Sequence, residues 1–479
     1  MEVTDSLIAD VPVRTKLLQT LVAAVGLGLF GCSGAQSAAP PLGGGGEQGV
    51  AGAAVTESGG AAGMATTTAG GSPNTAGAGV GGNATGGNAT AGSSTGGSAT
   101  GGNATGGNSS GGNAMGGMAA GGSTAGGSGG ISSSATTTIP GSGCTPPAAY
   151  ANLFIGLLGQ TQATSDAKLT AAWSQLFNPS NANTIFYTGP GTGEAYVKDI
   201  ADNDVRTEGM SYGMMIALQL NHQTEFDELW TFVKNHMWKG NTIAWQVNTD
   251  GSVKGAGGAP DGDEWFAAAL VFASHRWGST SGKYDYATEA QKTLDLVRTT
   301  DFSSAQSLVR YYTGTDSNGT DASYMLPAYY QTWACFDTAN ATFWNKALTT
   351  TRAWLQTAAG TTGNIGDQSS FAGQTTNSSG DDKLRTVANF MSDYNFFDAD
   401  PFEATYASEY ATWVSANNNG SIAMLACNGL LGFGLPAATG KPFVQKLWSA
   451  AIPTGNFRYY DGALYTIALL HVSGAFRLW

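Results

Sequence analysis

Three acidic residues stand at or just before the start of helix-like apolar runs, where their side chains could carry out acid–base chemistry. Glu208 precedes a run rich in Met, Ala and Leu, Asp261 precedes an Ala-rich run, and Asp382 opens a third. Hydrolysis of a glycosidic bond needs two such groups, one carboxylic acid and one carboxylate. Each acid alone could equally be a helix cap that interacts with the helix dipole. Their recurrence before successive helices favours a site.

The neighbours of two acids suggest different roles for them. Glu208 has Arg206 two residues before it and a buried helix after it, so we expect burial to raise its pKa. Asp382 has Asp381 beside it and Arg385 one turn further on, so we expect it to stay ionised. Environments that push two carboxyl pKa values apart are typical of an acid and base pair.

Two other interpretations of this region stay open. Asp393 is a rival for the base, although it lies inside its predicted helix rather than at the start. The tandem Asp381 and Asp382 could belong to a magnesium-binding helix of the terpene-cyclase type. The DDxxD repeat of such helices is absent, and an export signal argues against them.

The elements that must position these acids are helices. Apolar periodicity predicts helix after helix and no convincing strand series. The predicted helices span 163–177, 209–221, 224–237, 263–276, 285–298, 323–336, 343–357, 382–393, 401–415, 420–432, 442–450 and 461–473. Twelve helices predict an all-α fold, an (α/α)6 barrel of six inner and six outer helices. The even-numbered helices are generally the more apolar, so we expect them inside, with their N-termini at one mouth.

Aromatic residues cluster near the same helix starts. Sugars present apolar faces that stack on Trp and Tyr rings, and hydroxyl groups that bond to carboxylates and Arg. We therefore expect an aromatic ring around the acidic mouth, formed by Trp245, Trp265, Tyr324, Tyr329, Tyr459 and Tyr460. This combination predicts a glycoside hydrolase.

The N-terminal third has a different composition. Arg14 and Lys16 precede an apolar run that ends at Cys32, which is typical of a lipoprotein-type signal at 1–32. Residues 33–143 are Gly, Ala, Ser, Thr and Asn with almost no aromatic or charged residues, so we predict a disordered linker. Residues 144–479 are then the catalytic domain. We expect an exported protein, either an outer-membrane or cell-surface lipoprotein or a secreted enzyme.

Charge and cysteine content exclude several partners. The formal net charge of −13 argues against nucleic acid, and we expect membrane contact only through a lipid anchor. With 4 His and no zinc-like spacing, we expect no metal and no cofactor. Cys144, Cys335 and Cys427 leave at least one thiol unpaired, and their pairing stays open. We expect a monomer that binds a polysaccharide or oligosaccharide.

Two long motifs and three shorter segments give the chain a family resemblance. The segment 204–215, DVRTEGMSYGMM, is similar to the general-acid motif of glycoside hydrolase family 8. The segment 259–277 resembles that family's signature, with Pro260 and Phe266 as departures. Segments 273–278, 323–327 and 454–461 most resemble its xylan-active members. The resemblance covers essentially all of 146–479.

The resemblance implies an (α/α)6 barrel and hydrolysis with inversion at the anomeric carbon. It implies Glu208 as general acid, Asp382 as general base and Asp261 as the acid that holds and distorts the sugar. The positions of Arg206, Trp245, Tyr324 and Tyr459 are implied to line sugar subsites. We predict further substrate contacts from residues at or near the same helix starts, namely Tyr212, Trp265, Arg385, Arg458 and Tyr460.

One departure bears on the mode of cleavage. Reducing-end xylose-releasing exo-oligoxylanases of this family carry a Leu-His-Pro segment that closes the cleft. The matching residues 416–422 contain neither His nor Pro, so we predict an open cleft and endo-action on xylan. The alternatives are exo-oligoxylanase action, β-1,4-glucanase action, or a surface protein that binds glycans without cleaving them.

Overall fold

The computed structural model describes residues 134–280, 282–378, 382–417 and 420–479. The predicted signal, most of the predicted linker and Asp381 lie outside these residues. Among the described residues the α-helices are α1 Leu153–Gly156, α2 Gln162–Leu176, α3 Thr207–Gln219, α4 Gln223–Phe232, α5 Pro260–Arg276, α6 Tyr286–Leu296, α7 Pro327–Phe336, α8 Ala341–Ala358, α9 Leu384–Phe397, α10 Phe402–Ala416, α11 Ile422–Asn428, α12 Leu431–Gly434, α13 Ala437–Ser449 and α14 Arg458–Val472.

The helices form two concentric rings. In the inner ring, α3, α5, α7, α9, α11 and α14 each contact the next, and α14 contacts α3 to close the circle. The outer helices α2, α4, α6, α8, α10 and α13 each pack on an inner helix. Nearly every residue of α3 is buried, whereas α8 buries one face only. The predicted (α/α)6 barrel is confirmed.

Several predicted helices differ from the observed ones in their bounds; the helix predicted at 442–450, for example, begins at Ala437. Two others are interrupted. The predicted helix 323–336 begins only at Pro327, and Ala322–Tyr324 forms a separate 3-10 turn. Proline restricts the residue before it to extended conformations, so Leu326 cannot continue a helix. The predicted helix 420–432 is divided into α11 and α12.

Short strands lie in the loops between helices. They are β1 Phe186–Thr188, β2 Ala195–Val197, β3 Asp204–Arg206, β4 Gln246–Asn248, β5 Val253–Gly255, β6 Gln368–Ser369 and β7 Thr375–Asn377. They pair antiparallel as β1-β2, β3-β4-β5 and β6-β7. Strands of two or three residues are too short to show an alternating apolar pattern, so they could not be predicted from the sequence.

The last residues of the predicted linker, up to residue 143, make hydrogen bonds to residues of the predicted catalytic domain. The amide of Ile139 donates to Ala149 O at 3.0 Å, and that of Gly141 donates to Phe396 O at 2.8 Å. The Gln331 side chain donates to Gly143 O at 3.1 Å. Backbone pairing, which composition does not reveal, holds these residues in place.

A disulfide joins Cys144 to Cys335, two residues that are 191 positions apart in the chain. Cys335 lies at the C-terminal end of α7, so the bond lies at the end of the barrel opposite the helix starts. Cys427 is buried and free. Among the described residues, no helix is both long and apolar enough to cross a membrane.

Candidate active site

The N-terminal ends of the inner helices bring the three predicted acids together. Glu208 lies in the first turn of α3, Asp261 in the first turn of α5, and Asp382 directly before α9. Close approach of α3 and α5 depends on Gly262, because a Cβ atom there would lie 2.5 Å from the Thr207 side chain. The acids therefore meet at one mouth of the barrel, as predicted.

A single buried guanidinium connects all three acids. Arg385 Nη1 lies 2.6 Å from Glu208 Oε1 and 2.9 Å from Asp261 Oδ2. The Nη2 atom of Arg385 lies 3.3 Å from Asp382 Oδ1. Arg385 also donates to the Tyr212 hydroxyl at 2.8 Å. Its side chain is only 3% exposed, so solvent screens these interactions weakly.

The electrostatics of Glu208 are those of a group that holds its proton. The pKa of Glu208 is raised to about 8, chiefly by burial and also by the neighbouring Asp261 and Asp382 carboxylates. The charges of Arg385 and Arg206 lower this pKa but do not overcome burial. The raised pKa favours the protonated form of Glu208 at neutral pH, in the direction that its sequence context predicts.

Asp382 is the most accessible of the three acids. Its side chain is 44% exposed, against 17% for Glu208 and 11% for Asp261. The hydroxyl of Tyr460 donates to Asp382 Oδ1 at 3.1 Å. A carboxylate that faces solvent and is held by two donors can accept a proton from water.

Glu208 and Asp382 line one open groove of about 320 Å³, which we call the active-site groove. Arg206, Tyr459 and Tyr460 also line it. The Tyr459 ring packs against Gly209, where a Cβ atom would lie 2.2 Å from the ring. Among the described residues, the buried hydroxyl of Tyr459 finds no hydrogen-bond partner, so it can bond to a ligand in the groove.

A second set of charges fixes Arg206 at the edge of the groove. Its guanidinium pairs with Asp199 and Asp204 at 3.2 Å each and also with Asp202. The guanidinium lies over the ring of Trp245, 5.9 Å from the ring centre. Trp245 is 36% exposed, so one part of its ring is free for stacking. Tyr324 stands on the other side of the mouth, beneath the Arg385 guanidinium at 5.6 Å.

Several predicted contacts occupy other places. Trp265 is 7% exposed and packs edge-to-face on Tyr212 and Tyr329, so it belongs to the barrel core. Tyr212 is itself buried beneath Arg385. Arg458 donates to Thr184 O and Gly455 O, away from the acids. A position at a helix start does not decide whether a side chain points into the groove.

The rival base, Asp393, is far along α9 and has a different partner. Arg352 of α8 holds both of its oxygens, at 2.7 and 2.8 Å. Asp393 is fully buried, so it joins an inner helix to an outer one rather than facing the groove.

Two kinds of residue in the groove were not predicted from the sequence. Phe457 lines it with a side chain that is 74% exposed, and its place before the Arg-Tyr-Tyr segment was a usable signal. Asp199 and Asp202 also line it, but they are far from any predicted helix start and gave no local signal.

Comparison with known proteins defines the class to which this fold and site belong. Residues 150–418 match the family described as glycosyl hydrolases family 8. The chain belongs to this family and is a glycoside hydrolase.

Individual members of the family are similar to this chain over most of their length. A reducing-end xylose-releasing exo-oligoxylanase from Paenibacillus barcinonensis is 29% identical over 382 residues, which cover 71% of this chain and 100% of that protein. Another from Halalkalibacterium halodurans is 30% identical over 372 residues, covering 69% and 94%. A solved structure of a xylanase of the family from Teredinibacter turnerae, a catalytic mutant in complex with xylohexaose, is 29% identical with a TM-score of 0.66 and coverage of 69% and 98%.

Proposed function

We propose that this protein hydrolyses β-1,4 bonds of xylan or xylo-oligosaccharides with inversion, and that Glu208 is the general acid and Asp382 the general base. The observation that carries the proposal is the contrast between two carboxyl groups held by one guanidinium. The Glu208 side chain is 17% exposed and its pKa is raised to about 8, whereas the Asp382 side chain is 44% exposed. Such a contrast is what an acid and base pair requires.

The reaction then uses these groups in a balanced way. Glu208 gives its proton to the glycosidic oxygen as the bond from that oxygen to the anomeric carbon breaks. Asp382 takes a proton from a water whose oxygen bonds to the same carbon from the opposite face. Arg385 stabilises the Glu208 carboxylate as it forms, because its Nη1 is 2.6 Å away. Asp261, held by the same nitrogen, is proposed to position the sugar on the non-reducing side.

The substrate class is supported by the relatives and by the groove. The two curated relatives carry names of xylo-oligosaccharide hydrolases, and the related solved structure holds xylohexaose. The groove offers aromatic rings and carboxylates, which suit the apolar faces and the hydroxyl groups of a sugar chain.

Endo-action is supported by residues 416–422, which lack the His and Pro of the exo-acting members. Residues 418 and 419 of this loop lie outside the described residues. Exo-oligoxylanase action is a second candidate, because both curated relatives reported above carry that name.

The test is the early product pattern from xylohexaose, with anomers followed by proton NMR. We expect xylobiose to xylotetraose with α-anomers at the new reducing ends. Xylose with xylopentaose would establish exo-action instead, and β-anomers would contradict inversion. Cleavage of cellohexaose but not xylohexaose would make the protein a β-1,4-glucanase. Binding without cleavage by the unmutated protein would make it a glycan-binding protein.

The apolar run before Cys32 supports a further proposal, that the protein is exported and lipidated at this cysteine. A linker of about one hundred residues would then let the catalytic domain reach polymer beyond the membrane. Cell fractionation of wild type and Cys32→Ala tests this. Wild type should be found with membranes and the variant in the soluble fraction; wild type entirely in the medium, unprocessed at Cys32, would contradict anchoring.

A further inference from the structure

The turn that carries Asp382 is held from outside its own helix. Lys383 is the N-cap of α9, and its side chain makes no capping hydrogen bond. Its backbone amide instead donates to Asp367 Oδ1 at 2.8 Å. Asp367 lies directly before β6 and is 4% exposed, so this hydrogen bond is shielded from water.

Asp367 belongs to a hairpin that is itself fastened to the mouth of the barrel. Ser369 and Thr320 exchange two backbone hydrogen bonds of 2.8 Å each. The Gln368 side chain donates to Asn318 O, also at 2.8 Å. The β6–β7 hairpin is therefore joined to the segment that leads to Tyr324.

The segment paired with the hairpin contains a second buried aspartate in an equivalent role. Asp321 Oδ1 accepts the amide of Ser323 at 2.7 Å and so shapes the turn that precedes Tyr324. The Ser323 hydroxyl in turn accepts a hydrogen bond from Arg385 Nη2 at 3.2 Å. The buried carboxylates of Asp367 and Asp321 thus each accept a backbone hydrogen bond from a turn at the mouth of the barrel.

We propose that Asp367 is a positioning residue for Asp382 that acts through the backbone of Lys383. The proposal rests on the assignment of Asp382 as general base. The Asp382 side chain is 44% exposed and is contacted at its carboxyl end by Tyr460 and Arg385. The direction of its Cα–Cβ bond is set by the backbone of the turn. A displacement of about 1 Å at a reacting group can cost roughly 100-fold in rate.

The test compares variants that remove the hydrogen bond from either side. Asp367→Ala removes the acceptor, whereas Asp367→Asn keeps an oxygen at Oδ1. Lys383→Pro removes the donor, and the Lys383 φ of −50° is within the range of proline. Because proline also restricts the backbone of the residue before it, here Asp382, the Asp367 variants are the ones that isolate the hydrogen bond. Lys383→Ala is the control for Lys383→Pro, because it keeps the backbone amide and loses the side chain, whose ammonium group lies 4.0 Å from Asp367 Oδ2 and donates to Ser378 O at 2.9 Å.

We measure kcat and KM on xylohexaose together with the melting temperature. Asp367→Ala and Lys383→Pro should lose roughly 10- to 100-fold in kcat with KM within about twofold, because the turn affects the reacting group more than binding. Asp367→Asn and Lys383→Ala should keep kcat within about threefold of wild type.

The outcomes distinguish the role of Asp367 as a positioning residue from the assignment of Asp382 as the general base. If Asp367→Ala or Lys383→Pro folds and keeps wild-type kcat, Asp367 does not position the base. If Asp367→Asn or Lys383→Ala loses as much kcat as the removing variants, the backbone hydrogen bond is not the cause. Asp382→Asn is measured alongside: full activity there would overturn the assignment of the base itself, whatever the Asp367 variants do.

Discussion

At the scale of single residues, Glu208 and Asp382 each carry a carboxyl group, but the surroundings of the two carboxyl groups differ. Arg385 contacts both, so the guanidinium alone does not distinguish them. The difference comes from burial, which is the largest cause of the raised pKa of Glu208. A carboxyl group that is protonated at neutral pH can donate its proton to a leaving oxygen, whereas a partly solvated carboxylate can receive one.

The pKa of Glu208 predicts the alkaline limit of activity. The acid must be protonated to act, so activity is present below its pKa of about 8 and is lost as pH rises through that value. We expect the alkaline limb of the kcat/KM profile on xylohexaose to be centred near pH 8. Glu208→Gln should lose roughly 10²- to 10⁴-fold in kcat while keeping substrate binding. An alkaline limb that persists unchanged in Glu208→Gln would assign it to another group.

Phe457 predicts a separable contribution to substrate binding. Its ring is 74% exposed in the active-site groove, where a sugar face can stack on it. Loss of about 1 kcal/mol of ring contact predicts that Phe457→Ala raises KM for xylohexaose roughly fivefold, with little change in kcat. Ile139→Ala is the matched control, because Ile139 is 56% exposed and does not line the groove. Equal KM values for the two variants would exclude the stacking role.

At the scale of elements, the site consists of helix N-termini brought together by ring closure. Glu208 and Asp261 each lie in a first turn, where the helix dipole favours the ionised form of a carboxyl group. Burial, the largest cause of the raised pKa of Glu208, acts in the opposite direction at α3. The inner helices therefore determine where the carboxyl groups lie, and burial is the main cause of the raised pKa of Glu208.

The buried ion pair between α8 and α9 predicts a large loss of stability when one of its partners is removed. Arg352 holds both oxygens of Asp393, and the two side chains are 13% and 0% exposed. Arg352→Ala leaves a buried carboxylate without its partner, which should cost about 3–5 kcal/mol. Arg298→Ala is the control, because its pairing with Asp295 is partly exposed and should be worth at most about 1 kcal/mol. Urea denaturation of both variants measures this; equal losses would show that burial of the pair is not what matters.

At the scale of the whole molecule, the two ends of the barrel carry different features. The acids, Arg385 and the aromatic groove lie at the N-terminal ends of the inner helices. The disulfide and the entry of the chain from residue 134 lie at the C-terminal ends, beside α7 and α9. Chain attachment is thus separated from catalysis by the length of the inner helices.

This separation predicts that the disulfide supports stability without affecting activity. It joins residues 191 positions apart, so it removes much conformational freedom from the unfolded chain. We expect Cys335→Ser to lose about 2–5 kcal/mol of unfolding free energy, with kcat at 25 °C within about twofold of wild type. Calorimetry and xylohexaose kinetics check the two parts. A large fall in kcat in a fully folded variant would contradict the independence of the two ends.

The sequence by itself determined the features that depend on local patterns. Apolar periodicity was enough to locate the twelve helices of the two rings, apart from some of their bounds. The acids at the starts of α3, α5 and α9 could be placed at one mouth because alternate helices point the same way. The long motifs around Glu208 and Asp261 were enough for the family.

Only the tertiary structure decided which groups meet. Arg385 and Glu208 are 177 positions apart, so their contact exists only once the ring closes. The same closure buries Trp265, turns Arg458 away and pairs Cys144 with Cys335. Side-chain direction and long-range pairing depend on how helices pack against each other, and residue type at a helix start carries no record of that packing.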